Sequence, residues 1–224
     1  YGSGGWISYS VEELLDEVKG YAARGFKAVK IKVGKPDWRE DLERLKIVRE
    51  AVGKNINIMM DANQGMNVPD ALALARAARE IGIQWFEEPI DHKDYEGYNI
   101  LRNQAGISLA MGEREYSTVP LRELLKRNAL DIWQPDILRL GGVEAWRNSA
   151  AIAGAHNIPV LPHYYKDYDV PLLSTICNGA GTESFDWIDP LIDNPVKFVD
   201  GFALPHDKPG WGFTFKDEYL QPVD

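Results

Sequence analysis

A closed α/β barrel of eight strand–helix units, the (β/α)8 TIM-type barrel, is the fold this sequence predicts, on three observations. Short apolar runs alternate with amphipathic helical stretches about every 25 to 30 residues, a pattern that demands parallel strands joined by right-handed crossovers. About eight such units fit into roughly 200 residues, which suits a closed barrel better than an open sheet. No Gly-x-Gly-x-x-Gly follows a strand, which removes the main argument for a doubly wound sheet.

The elements follow in order. Tyr1 to Tyr9 offers a first strand either near Tyr1 or at Ile7 to Tyr9, so the first unit reads as incomplete. Ser10-Val11-Glu12-Glu13 is a capping box, and Leu14, Leu15, Val18 and Tyr21 fall at helical spacing until Gly25 stops the helix. Phe26 to Val33 is a strand that turns Lys30 and Lys32 to one face, their Cα atoms roughly 7 Å apart, and Val29, Ile31 and Val33 to the other. Gly34 to Asp37 is a loop, and Leu42, Leu45, Ile47, Val48 and Val52 form the buried stripe of a second helix ending at Gly53. Strands are then expected at 56–61, 83–87, 107–112, 131–135, 158–162 and 182–185, with helices near 68–82, 94–104, 118–128, 142–156 and 169–178. Trp85, Trp133 and Trp146 sit among apolar neighbours and read as core.

Residues 1–185 thus form the barrel, and 186–224 read as an extended segment packed against it. That tail holds five of the 13 prolines, and its Trp211, Phe213 and Phe215 alternate as though pairing with something.

Composition narrows the function. Asp and Glu number 34 against 25 Lys and Arg, a net charge of −9, which argues against nucleic acid or an anionic membrane as partner. An anionic small molecule stays open if a bound cation reverses the field locally. Cys177 is alone, so no intrachain disulfide forms and a reducing, cytoplasmic setting is expected. No apolar run approaches the ~18 residues of a membrane helix.

Two lysines facing a barrel interior need a reason. An isolated Lys-x-Lys would read as an edge strand guarded against aggregation. Here Asp61, Glu87 and Glu113 each end a short apolar run, 26 residues apart each time. Acidic residues are depleted in strands, so three at strand ends with one repeat between them suggest a common site. In a parallel barrel every strand delivers its C-terminal end to one mouth, and three converging carboxylates require compensation. A hard dication supplies it, and a ligand set without Cys or His favours Mg²⁺, with Mn²⁺ tolerated. Asp136 and His163 end the next two strands, an arrangement in which the carboxylate fixes the ring tautomer for acid–base work. Glu183 ends the eighth and reaches the same mouth. Glu88 faces the opposite side, where a salt bridge or cap is expected, and His92, His156 and His206 read as solvated.

The ordered set Val29-Lys30-Ile31-Lys32-Val33-Gly34, Met60-Asp61-Ala62-Asn63, Phe86-Glu87-Glu88-Pro89, Met111-Gly112-Glu113, Gln134-Pro135-Asp136 with Gly141-Gly142, Pro162-His163 and Glu183 resembles the mandelate racemase branch of the enolase superfamily. The resemblance spans nearly the whole chain. It implies Mg²⁺ on Asp61, Glu87 and Glu113, Lys32 as one acid–base group, and Lys30 against the substrate carboxylate. His163, oriented by Asp136, would be the opposite acid–base group; Glu183 would hydrogen-bond the developing enolate, and Asn63 would contact substrate or metal. It further implies homo-oligomers of the full-length protein and an N-terminal α+β capping domain that these residues do not include.

The chemistry so implied removes a proton α to a carboxylate, the pattern of enolase-superfamily sites with Lys or His bases and Mg²⁺. An ordinary lysine, with pKa about 10.4, is protonated at neutral pH, so Lys30 and the metal are expected to pull Lys32 down. The runs Gln134 to Gly142 and Glu183 to Trp187 look most like acid-sugar dehydratases acting on galactarate and talarate, giving a 2-keto-3-deoxy acid. A racemase or epimerase of a 2-hydroxy acid, and a non-catalytic barrel, are the alternatives. Tyr164, Tyr165 and Tyr168 either contact a polyol or cover the rim.

Overall fold

The computed structural model describes residues 1–220. Six strands, β1 (Gly2–Gly4), β2 (Ala28–Lys32), β3 (Asn57–Asp61), β4 (Ile83–Glu87), β5 (Ser108–Met111) and β6 (Ile132–Trp133), pair side by side in sequence order. Every pairing is parallel. Two further staves complete the ring through single parallel bridges, Trp133 to Val160, Val160 to Gly179, and Ser184 back to Gly2. Ser184 N–H donates to the Tyr1 carbonyl at 2.8 Å, which closes the circle. The barrel is therefore the expected one.

Its first and last staves are thin for identifiable reasons. β1 has three residues, and a Cβ on Gly2 or Gly4 would lie 2.3 Å from the Tyr21 ring or 2.2 Å from the Glu17 carboxylate, so α1 (Val11–Ala23) packs directly on bare backbone. The expected strands at 158–162 and 182–185 are reduced to bridges. Pro159 and Pro162 flank Val160 and supply no N–H, so a ladder cannot extend there.

Outside the strands run α2 (Trp38–Val52), α3 (Val68–Ala78), α4 (Tyr95–Gln104), α5 (Thr118–Lys126), α6 (Val143–Ala155) and α7 (Lys166–Leu173). Val29, Ile31 and Val33 point outward into the layer shared with Leu14, Leu45 and Val48, as alternation requires. Met59, Trp85, Ala110, Ile132 and Leu161 fill the barrel's inside. Trp85, Trp133 and Trp146 are all buried. The capping box at Ser10 forms in both directions.

Two expectations are corrected. The last helix lies at 166–173 rather than near 169–178: Asp167 and Asp169 occupy its first turn, where the helix dipole favours acids, and the Ser174 and Thr175 hydroxyls turn back to the Val170 and Leu172 carbonyls and end it. The tail is not simply extended. Within it β7 (Ile192–Asp193) pairs antiparallel with β10 (Thr214–Phe215), and β8 (Lys197–Val199) with β9 (Phe202–Leu204). Trp211 and Phe213 meet Tyr168 edge-on at 4.9 and 5.1 Å, and Phe198 lies 5.0 Å from Phe26. Residues 221–224 of the expected tail lie outside the described residues.

Candidate active site

Strand register builds the site. Lys32 pairs with Asp61, and Asp61 with Glu87, so three charged residues share one row across β2, β3 and β4. Glu113 follows β5 after Gly112, whose φ of 139° and whose distance of 2.8 Å from a would-be Cβ to the Trp133 ring leave room for no other residue. One oxygen from each of Asp61, Glu87 and Glu113 lies within 4.8 Å of the others. All three side chains are buried.

Cations interleave with these acids. Lys30 Nζ stands 2.5 Å from Glu87 Oε1, 2.7 Å from Glu183 Oε1 and 3.7 Å from Asp61 Oδ2. Lys32 Nζ lies 2.5 Å from Asp61 Oδ2. His163 presents Nδ1 to Asp136 Oδ2 at 2.9 Å and Nε2 toward Glu113 Oε2 at 3.3 Å. Lys32, Asn63, Asp136 and His163 border one cleft of about 380 Å³, walled by Trp6, Tyr164 and Trp187 among others. Lys30 does not border it, and neither do Asp61, Glu87, Glu113 and Glu183; all five are buried, with Asp61 against Lys32 and Glu113 against His163. Asn63 donates its backbone N–H to Asp61 Oδ1 at 2.8 Å and so fixes that carboxylate.

Burial and charge set the protonation states. Burial, joined by Asp61, Glu183 and Glu113, pushes Glu87 up to about 7 against the pull of Lys30. Burial opposes the charge of Glu183 too, but Lys30, His163 and Lys32 together hold it at about 2. His163 is raised: burial lowers it, and Asp136, Glu183 and Glu113 more than offset that. The expected lowering of Lys32 counts on Lys30 together with a metal ion, and Lys30 by itself does not produce it. Burial and the Lys30 charge do push it down, but the adjacent Asp61 with Glu87 and Glu183 outweighs them and holds it above its ordinary value.

Other residues enter that the sequence left aside. Gln134 donates to Glu87 Oε2 at 2.7 Å, and Trp85 Nε1 to the same oxygen at 3.2 Å. The alternation of Gln134 with Asp136 was the available signal. Glu88 does form a salt bridge, to Arg114 at 3.0 Å, yet it is fully buried, and burial with the nearby Glu113 and Asp61 raises it to about 8. His92 and His206 are not simply solvated. Both are half-buried, His92 at 2.9 Å from buried Glu115 and His206 at 3.2 Å from Asn194, because each loop folds back on a polar partner; His156 is exposed. Trp6 is stacked on Trp187 at 5.3 Å, and the Lys32 ammonium lies 5.4 Å from its ring centre.

The donor set fits a hard dication. It is all carboxylate, and Glu113 Oε2 is buried with no well-directed hydrogen bond among the described residues. A parallel barrel with three acids at successive strand ends, facing lysines on one side and a His–Asp pair on the other, could hold a metal ion between groups able to exchange protons. Residues 13–219 match the family model described as enolase C-terminal domain-like, and the chain belongs to that family, within the mandelate racemase/enolase superfamily. It is 31% identical to the L-talarate/galactarate dehydratase of Salmonella typhimurium, over 96% of this chain and 54% of the relative. It is 34% identical to the D-galactarolactone cycloisomerase of Agrobacterium fabrum, over 92% and 54%. The crystal structure of L-talarate dehydratase from Polaromonas sp. JS666, complexed with Mg and L-glucarate, superposes with a TM-score of 0.92 at 29% identity, covering 97% of this chain and 62% of that one. The chain thus spans about half the length of these curated relatives. No helix among the described residues is long and apolar enough to cross a membrane.

Proposed function

We propose that this chain is the catalytic barrel of a Mg²⁺-dependent lyase that dehydrates a sugar acid of the galactarate or talarate kind to a 2-keto-3-deoxy acid. The observation that carries the reading is the carboxylate trio, within 4.8 Å, beside a cleft bordered by both Lys32 and His163. The relatives named above, sugar-acid dehydratase and cycloisomerase, support it at the level of the family.

Asp61, Glu87 and Glu113 would hold the ion; Mg²⁺, or Mn²⁺ in its place, supplies a positive charge against the negative charge that grows on the substrate carboxylate. Lys32 takes the C2 proton as the neutral amine, after Asp61 has been drawn from it and its own ammonium proton has passed to solvent. The C2–H pair becomes the C2–C3 double bond of an enol, His163 gives its proton to the C3 hydroxyl, and that group leaves as water. Ketonisation of the enol completes the keto acid. Asp136 holds His163 in the orientation this needs and stabilises its charged form. Glu183, ionised and held by the Tyr164 N–H at 2.9 Å, would accept a hydrogen bond from the hydroxyl of the enol. Lys30 meets the substrate carboxylate from the floor only by exchanging one of its present carboxylate partners, and Asn63 lies at the rim for a hydroxyl.

Incubation with a panel of sugar acids and Mg²⁺ in D₂O tests the reading. Keto acid formation supports dehydration. Deuterium at C2 without keto acid favours a racemase or epimerase, a reading that two acid–base groups on one cleft also admit. Neither product, with no Mg²⁺-dependent stabilisation, leaves a non-catalytic barrel. We further propose, from the family, that the full-length protein is a homo-oligomer acting on a small carboxylate in the cytoplasm.

A further inference from the structure

The turn between β6 and α6 contains one residue that touches both halves of the site, one with its side chain and the other with its backbone. Arg139 Nη1 donates to the Glu113 carbonyl at 2.7 Å and stands 3.7 Å from Glu113 Oε1. Its backbone N–H and that of Leu138 donate to Asp136 Oδ1 at 2.9 and 2.8 Å. Asp136 Oδ2 in turn faces His163 Nδ1 at 2.9 Å, and His163 Nε2 faces Glu113 Oε2 at 3.3 Å. The four residues close a ring that runs from a carboxylate of the trio, through the guanidinium and its turn, to the acid–base pair and back.

The chemistry of the arginine suits that place. A planar guanidinium fixes several donors in one rigid fork, so a single contact to the Glu113 carbonyl also sets the distance of its charge from the Glu113 carboxylate. The carbonyl it holds follows Gly112, where backbone freedom is greatest and an outside anchor has most effect. Arg114 approaches the same Glu113 oxygen at 3.8 Å but is committed to Glu88, and it makes no bond to the Asp136 turn among the described residues.

We propose that Arg139 is a positioning residue whose guanidinium anchors Glu113, as a metal ligand, to the turn whose backbone holds Asp136, so that ion affinity depends on the guanidinium directly and the aim of His163 depends on it through that turn. This rests on the Mg²⁺ reading above. Outer contacts of this kind are worth about 10- to 100-fold in metal affinity or activity.

The test is calorimetric titration of the whole chain with Mg²⁺ alone, comparing wild type with Arg139→Met, alongside the metal-free melting temperature and the kinetics on whichever sugar acid wild type turns over. Mg²⁺ affinity is expected to fall at least about tenfold with little change in metal-free melting, and at saturating Mg²⁺ kcat is expected to fall while KM moves less. Arg139→Lys, which keeps the charge without the fork, should recover part of both. If Arg139→Met does not fold, Arg139→Gln is judged by the same criterion. A wild type that binds Mg²⁺ with a variant that binds it equally well overturns the inference alone. A wild type that takes up no Mg²⁺ overturns the inference and the metal reading together.

Discussion

Lys32 lies 2.5 Å from an Asp61 oxygen, so the charge of one governs the availability of the other. Lys32→Met removes a competitor for that oxygen. Mg²⁺ affinity measured by calorimetry is expected to hold or tighten, while C2 proton exchange in D₂O falls by about 100-fold or more; undiminished exchange would remove Lys32 from the mechanism. Asp169 gives a second expectation. Both its oxygens are buried without partners among the described residues, and burial, with Asp136, Glu183 and Asp167 nearby, lifts its pKa well above the ordinary value. An acid whose folded pKa is raised binds its proton more tightly when folded, so its contribution to stability declines as pH rises from about 4 toward the raised value. Asp169→Asn is expected to stabilise the protein at pH 8 by about 1 kcal/mol or more and to flatten that decline, as read from urea midpoints across pH. Asp61, Glu87 and Glu113 were legible in the sequence as a group because each ends a short apolar run at a 26-residue interval, and Asp136, His163 and Glu183 because they follow the later strands. Arg139 was not, since a side chain that reaches from one turn to a neighbouring strand leaves no periodic trace. The carboxylate nearest Lys32 was not legible, because it depends on strand register, which composition does not reveal.

At the scale of elements, Gly112 controls where β5 delivers Glu113. Gly112→Ala would drive a Cβ against the Trp133 ring and strain a φ of 139°. A loss of about 2 kcal/mol is expected, with Mg²⁺ binding weakened because Glu113 moves with the turn. Unchanged stability in urea together with unchanged Mg²⁺ affinity would contradict it. The strand–helix alternation was readable from Phe26 through α6 because period-two and helical patterns switch cleanly there. It failed at α7, where polar residues in the first turn hid the helix start, and in the tail, where pairs two or three residues long carry too little pattern to read.

For the molecule as a whole, the ion should act as a ligand of the folded state. At a free Mg²⁺ concentration 100 times its Kd, stabilisation of about 2.7 kcal/mol is expected by mass action, visible as a rise in melting temperature that EDTA reverses. Closure of the ring was legible only as a count of units, since its last bridges consist of isolated pairs broken by prolines. Those bridges have a consequence for motion. The carboxylate trio is carried by β3, β4 and the turn after β5, strands that pair with their neighbours over several residues despite one register shift between β3 and β4, whereas His163 and Glu183 ride on staves held by one bridge to each neighbour. Amide hydrogen exchange should accordingly be slow over residues 57–111 and faster over 158–184. On the proposed mechanism, such a division would keep the charges that gather an ion rigid and would give His163 the small latitude needed to follow a leaving oxygen.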